Sequence, residues 1–301
     1  MRWLLLSAAL AAWGQDVPKF EGGVSLVRVD VEVTSQGKSV PKLLAQHFRV
    51  LDNGEEQKIV HVGQDEESLD VMLLFDTSGS MKEAIERAST GAKKALAALR
   101  PGDRVGVMTF AGRPRLLSAF NTDLESTRIT VEEGVLSIPF QGATHIWDAV
   151  YGASEFHFKY RKAGRRRAVL IITDNYGQRA EQDERTVLNS LWEADVVLAG
   201  VIVRNPGEAR KSKRPVQIDT LVEETGGATT SSDDPGEGLA EMMERIRKRY
   251  SIYYAMPKGG PGERRSVRVE LEGTAKQLYP EARVFARKGY YLPGRAQSES
   301  R

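Results

Sequence analysis

The segment Val71–Met81 reads VMLLFDTSGSM, an apolar run that passes straight into Asp76, Thr77, Ser78, Gly79 and Ser80. An acid and two hydroxyls at every second position can turn three oxygens toward one point, and Gly79 relieves the backbone crowding between them. Carboxylate and hydroxyl are hard donors, suited to Mg2+, Mn2+ or Ca2+ rather than to a thiolate-seeking metal. Other chemistries fail on spacing. An aspartic protease needs Gly one residue earlier, and Ser78 intervenes; an aspartyl-nucleophile phosphatase needs a second Asp at position 78. Neither Ser78 nor Ser80 sits in Gly-x-Ser-x-Gly, and the glycines and lysine of a phosphate loop are missing. A structural alternative is that Ser80 caps the helix that follows.

The elements that must position this loop are readable as patterns. LDVMLLF, RVGVMTF, AVLIIT and DVVLAGVIV are near-continuous apolar runs, as strands buried on both faces of a parallel sheet must be. Between them KEAIERASTGAKKALAALR, HIWDAVYGASEFHFKYRK and GEGLAEMMERIRKRY carry helical stripes, the first ending at Pro101-Gly102. Strand, helix, strand, helix predicts an α/β fold, a doubly wound, Rossmann-like, mostly parallel sheet over residues 68–250. In such a sheet ligands bind beyond the carboxyl ends of the strands, where Asp76 falls.

The flanks are different. Val27, Val29, Val31 and Val33 alternate with polar residues, which predicts a half-buried strand, and Asn53-Gly54 between two β-prone runs predicts a hairpin. SIYYAM, RSVRVELEG and ARVFARKGYY predict three strands after Tyr250. Each set is short of partners, so residues 15–67 and 251–292 are expected to pack together as one small β module, with 293–301 a flexible tail.

Residues 1–14 have the form of a secretory signal peptide: Arg2, an apolar stretch from Trp3 to Trp13, then a small-x-small cleavage site ending at Gly14. That stretch is shorter than the roughly 20 residues of a membrane span, so no transmembrane segment is expected in the mature chain. An exported protein, periplasmic or secreted, is the expectation. The chain has no cysteine, which removes lipoprotein anchoring, disulfides and thiolate metal sites together. A formal net charge of +2 gives no reason to expect nucleic acid or an anionic membrane as partner.

Asp-x-Ser-x-Ser after a buried strand resembles the metal-ion-dependent adhesion site of von Willebrand factor type A (VWA) domains. The resemblance implies a Thr from a second loop and an Asp from a third, matched here by Thr144 in QGATHIWDAV and Asp174 in LIITDNYG. The implied ligand set is Asp76, Ser78, Ser80, Thr144 and Asp174, and the implied ion Mg2+, or Mn2+ or Ca2+. One position departs: Asn175 stands where the family has Gly, and Asn is the non-glycine residue most tolerant of left-handed φ. The flanking VDVEVTSQGKSVPKLLAQHFRVLDNGEEQKIVHV and VFARKGYY, with LVEETGGATTSS and IRKRYSIYYAM, are similar to the VWFA-related proteins first defined in Acidobacteria.

Nearby residues have plainer readings. His145 is expected to be structural or gating, and Asp148 to orient the Thr144 loop by hydrogen bonding. The run Gly164-Arg165-Arg166-Arg167 reads as a solvated turn at the amino end of the sheet; Tyr290 and Tyr291 read as strand packing. Arg204, Arg210, Lys211, Lys213 and Arg214 form either a solvated loop or a basic rim that steers an acidic ligand. The ligand set leaves open positions and uncompensated charge on an ion, which a carboxylate from a protein partner would fill. A binding protein, not an enzyme, is therefore expected, in adhesion or envelope assembly. The alternatives are a scaffolding subunit whose ion only stabilises loops, and a metal-dependent hydrolase that lacks an evident base.

Overall fold

The computed structural model describes residues 25–178, 180–204 and 218–293. The signal-peptide expectation, four cations of the basic loop (Arg210, Lys211, Lys213 and Arg214) and all but the first residue of the tail lie outside them.

The described residues open with β1 (Leu26–Ser35), β2 (Lys38–Ser39), β3 (Phe48–Asp52), β4 (Glu55–Gln57) and β5 (Ile59–Gln64). Asn53 and Gly54, at φ 48° and 82°, turn β3 into β4, because both tolerate positive φ. β1 is not half-exposed as its alternation predicts. Val27, Val29, Val31 and Val33 face an apolar core, but Asp30 and Glu32 on the other face are buried as well. Asp30 meets Arg28 of β1 itself at 3.4 Å and Arg166 of the α/β domain at 3.6 Å, and Glu32 meets Arg245 at 2.7 Å and Arg249 at 3.5 Å.

The domain that follows holds β6 (Leu69–Asp76), β7 (Arg104–Phe110), β8 (Pro114–Asn121), β9 (Arg166–Thr173), β10 (Val197–Val203) and β11 (Thr229–Ser232). They form one sheet ordered β11-β10-β9-β6-β7-β8, parallel except for β8. β8 was not legible as a strand: it is an edge strand whose pairing with β7 is bulged twice, so no period survives. Its helices among the described residues are α1 (Lys82–Thr90), α2 (Ala92–Leu96), α3 (Leu124–Ile129), α4 (Ile146–Lys159), α5 (Glu184–Glu193), α6 (Asp219–Glu224) and α7 (Pro235–Arg247). Apolar residues of α1, α2 and α7 cover one face of the sheet, and those of α4, α5 and α6 the other, which is the doubly wound arrangement. The stretch expected as one helix from Lys82 breaks at Gly91. There the backbone meets Gly236 of α7 so closely that a Cβ on Gly91 would lie 2.4 Å from the Gly236 Cα.

β12 (Tyr250–Ala255), β13 (Arg264–Leu271), α8 (Gly273–Leu278), β14 (Arg283–Ala286) and β15 (Gly289–Tyr291) complete the described chain. β12 pairs with both β1 and β5, and β14 pairs with β1; β13 lies between β3 and β15. Two sheets, β14-β1-β12-β5 with β2 beside β1 and β15-β13-β3-β4, thus share a core that includes Val29, Val50, Tyr254 and Val269. ARVFARKGYY is two strands in different sheets rather than one. The break comes at Arg287 and Lys288, which reach out to the α/β domain: Arg287 pairs with Asp195 at 2.7 Å, and the Lys288 N–H donates to the Glu224 carbonyl at 2.9 Å. Tyr290 does pack, and its hydroxyl also donates to the buried Asp52 carboxylate at 2.7 Å.

The two layers meet through buried ion pairs at the amino edge of the α/β sheet. The Gly164–Arg167 run is no solvated turn. The side chains of Arg165, Arg166 and Arg167 retain only 14%, 1% and 10% exposure. Arg165 binds Asp70 at 2.6 Å, Arg166 lies 3.6 Å from Asp30, and Arg167 lies 3.3 Å from Asp195, which Arg28 also reaches at 2.7 Å. Arginines before a strand read as surface only when nothing packs against that end; here β1 does.

Inside α4, His157 is buried and its Nε2 lies 3.0 Å from the Ala168 carbonyl, which can only accept, so Nε2 carries the proton. Burial pushes its pKa down from 6.5 to about 4, against that hydrogen bond. The unfolded chain therefore binds a proton that the folded chain refuses between these values, and stability falls as pH drops from 6.5 toward 4. Over that window wild type should lose roughly 3 kcal/mol that His157→Gln keeps, read from urea melts at pH 7 and pH 4.5; equal pH slopes would overturn the assignment. Among the described residues no helix is long and apolar enough to cross a membrane.

Candidate metal centre

β6 is buried along its whole length, so its last residue, Asp76, is delivered to the carboxyl edge with no exposed surface. Phe75 pairs with Ile172, which sets Asp76 beside Thr173 at the end of β9. The Thr173 hydroxyl donates to Asp76 Oδ2 at 2.7 Å, and the Ser78 N–H donates to Oδ1 at 2.9 Å, curling the loop back on itself. Thr77 faces away: its N–H and hydroxyl both donate to the Phe110 carbonyl, at 2.7 and 3.1 Å. That split explains the spacing, because alternate residues serve the loop's anchorage and its open side. Ser78 Oγ and Ser80 Oγ stand 3.3 Å apart, and Ser80 Oγ donates to Asp174 Oδ2 at 2.9 Å. The capping alternative fails, since neither the single 3-10 turn Gly79–Met81 nor α1 has a side-chain cap bond.

The second and third loops are tied to the same edge by backbone. Thr144 is buried just before α4; its carbonyl accepts from Gln178 N at 2.9 Å, and His145 N donates to the Ala111 carbonyl at 3.0 Å. Asp174 Oδ1 accepts from Tyr176 N at 3.1 Å. Asn175 sits at φ 61°, in the left-handed region where Gly would be cheapest, and its side-chain oxygen accepts from Ile218 N at 3.4 Å. Hydrogen bonds or contacts thus link Asp76, Ser78, Ser80 and Asp174, and Thr144 is held at the same edge by its main chain. Thr173 was present in the sequence as the polar end of an apolar run, but nothing local assigns it to Asp76. Asp148 touches the Thr144 loop through His145, but its shorter bonds run elsewhere. Its carboxylate accepts from Glu181 N at 3.1 Å and Gln182 N at 2.8 Å, so it fastens α4 to the approach to α5, with His145 Nδ1 3.5 Å away.

Burial pushes the Asp76 carboxyl up to about 7, and the charge of Asp174 adds to that, while hydrogen bonds from Ser78 and Thr173 pull it down. Two carboxylates and hydroxyls in this setting fit a small hard cation. The observed 3.3 and 2.9 Å between neighbouring oxygens match adjacent corners of an octahedron, about 2.9 Å apart around Mg2+ and slightly wider around Ca2+. Among the described residues no three His, Cys, Asp or Glu side chains gather for a metal, so a divalent site here must draw on hydroxyls. An ion would supply positive charge and an open coordination position; the chain supplies a hydrogen-bonded set of oxygens, most of them buried.

Several solved structures are similar to this chain. An aerotolerance-related membrane protein from Bacteroides fragilis is 19% identical, with a TM-score of 0.48 over 60% of this chain and 98% of that one. A von Willebrand factor type A protein from Catenulispora acidiphila is 14% identical, with a TM-score of 0.49 over 89% and 75% of the two chains. The pilus adhesin SpaC from Lactobacillus rhamnosus GG is 12% identical, with a TM-score of 0.47 over 87% of this chain and 47% of that one. No curated protein matches the chain. The family model of the von Willebrand factor type A domain matches residues 71–178, a segment that contains Asp76, Ser78, Ser80, Thr144 and Asp174. The chain carries a von Willebrand factor type A domain.

Proposed function

We propose that this is an exported protein-binding module of the VWFA-related type, in adhesion or envelope assembly. Asp76, Ser78, Ser80, Thr144 and Asp174 hold Mg2+, or Mn2+ or Ca2+, and the ion engages a carboxylate of a protein partner. The observation that carries the reading is the Ser80–Asp174 hydrogen bond of 2.9 Å, with Ser78 3.3 Å from Ser80. It joins hydroxyls and an acid from two loops that are far apart in sequence, on a burial that disfavours their bare charge. Thr77 and Thr173 hold the loop and the first carboxylate in place. The ring of His145, next to Thr144, has its Nδ1 3.5 Å from the Asp148 carboxylate, which favours binding over hydrolysis.

The test is capture from the native cell envelope by the mature chain in Mg2+ and in EDTA, with Asp76→Ala as control. Partners retained only by wild type in Mg2+ support the reading. Identical capture in all three conditions overturns it, and an ion that raises the melting temperature without changing capture makes it a structural ion instead.

A further inference from the structure

We infer that the partner's chain, beside the carboxylate it gives to the ion, lies in a groove of about 560 Å³ between the β7–β8 turn, the start of α4 and the loop leading into α5. This rests on the reading above and adds what the partner looks like: an extended segment with a flat or apolar side chain next to its acid.

The groove is continuous with the metal loops. His145, which lines it, directly follows Thr144, and its N–H is held by the carbonyl of Ala111, the residue before the groove-lining Gly112. Its wall is preformed: Pro114 packs against Gly152 of α4 so closely that a Cβ there would lie 2.9 Å from the proline ring. Tyr151, which lines the groove with Pro114, supplies an apolar surface, and 560 Å³ lies within the roughly 300–1,000 Å³ of ligand pockets. Inside, the Asp148 carboxylate keeps its charge but accepts two backbone N–H groups, which occupy lone pairs a ligand would otherwise use. At the mouth Arg113 and Glu181 stand 3.9 Å apart, 90% and 76% exposed, a weak pair that a ligand separates at small cost. A carboxylate is therefore drawn by the ion, while the residue beside it is chosen by the Tyr151–Pro114 wall and, farther out, by the Arg113–Glu181 rim.

The probe is a set of capped hexapeptides with one fixed Asp, each flanking position varied in turn through Tyr, Pro, Leu, Ser, Lys and Glu, bound to the whole chain in Mg2+ and in EDTA. In Mg2+, one flanking position should prefer an apolar residue over Ser by about threefold or more. Tyr151→Ala should erase that preference without changing the affinity for Mg2+ itself, and Tyr151→Phe should keep it. Tyr151 is half-buried, so the exposed Glu181 provides a second test that does not risk the fold. Glu181→Arg should shift a rim position from Lys toward Glu by about threefold. Flanking preferences unchanged in both Tyr151→Ala and Glu181→Arg would overturn the groove while leaving metal-dependent binding standing. If calorimetry shows Mg2+ bound and no peptide binds, the carboxylate reading itself falls, and the groove with it.

Discussion

Replacing Asp76 by alanine should lower the affinity for Mg2+ and Mn2+ by at least about a hundredfold, to the point of no measurable heat in calorimetry. The carboxylate is fully buried, accepts hydrogen bonds at 2.7 and 2.9 Å, and ends a strand that cannot shift without moving the whole sheet. Asp76→Asn should fail nearly as completely, because its shape is kept and its charge is not. Thr173→Val acts one step back: it removes the donor that orients Asp76 Oδ2, and should cost about 10- to 100-fold in ion affinity. Thr77→Ala separates ligation from proximity. Its hydroxyl is turned toward the Phe110 carbonyl, so ion affinity should stay near wild type even though it lies between two proposed ligands. An Asp76→Ala protein that binds Mg2+ as wild type does would end the assignment.

The second large effect belongs to the buried ion pairs between the β layers and the α/β domain. Arg166 retains 1% exposure and donates to the Arg247 carbonyl at 3.0 Å and to the Ile246 carbonyl, at the end of α7 where carbonyls lack helical partners. Its Nε lies 3.6 Å from Asp30 on β1. Arg166→Ala leaves those carbonyls and that carboxylate buried without it and should destabilise the protein by about 3–5 kcal/mol. Asp30→Ala should cost a similar amount, since it strips the shared counter-charge from Arg28 and Arg166. The double variant should lose about 1–3 kcal/mol less than the sum. Urea melts followed by far-UV circular dichroism measure all three; a loss below about 1 kcal/mol in Arg166→Ala would show the network to be inert.

The same network sets a pH response. Burial alone would push the Asp30 carboxyl up, but the guanidinium groups of Arg28, Arg166, Arg249 and Arg287 outweigh it and hold it below its ordinary value of 3.8. A depressed carboxylate contributes stability above the unfolded value and loses it as pH falls through the folded one. Asp30 therefore gives its full contribution above pH 3.8 and loses it as the pH falls below that, later in an acid titration than His157.

Residue order alone was enough for features in which each residue answers to its immediate neighbours. Continuous apolar runs announced the parallel strands, Asn53-Gly54 the first hairpin, and Asp76, Ser78 and Ser80 their common side of one loop. The left-handed Asn175 was legible too, because φ tolerance is a property of the residue itself. What required the tertiary structure was every feature whose partner lies far along the chain. Thr173 belongs to Asp76 only because β6 and β9 lie side by side in register. Arg165–Arg167 look like a solvated turn until β1 and Asp70 cover them, and Asp30 and Glu32 look like a wet strand face until arginines meet them. ARVFARKGYY alternates like one strand, yet it divides where Arg287 and Lys288 find partners in the other layer. Periodicity records how a residue faces its own strand; whether that face meets water or a buried countercharge is decided by whatever the rest of the chain packs against it.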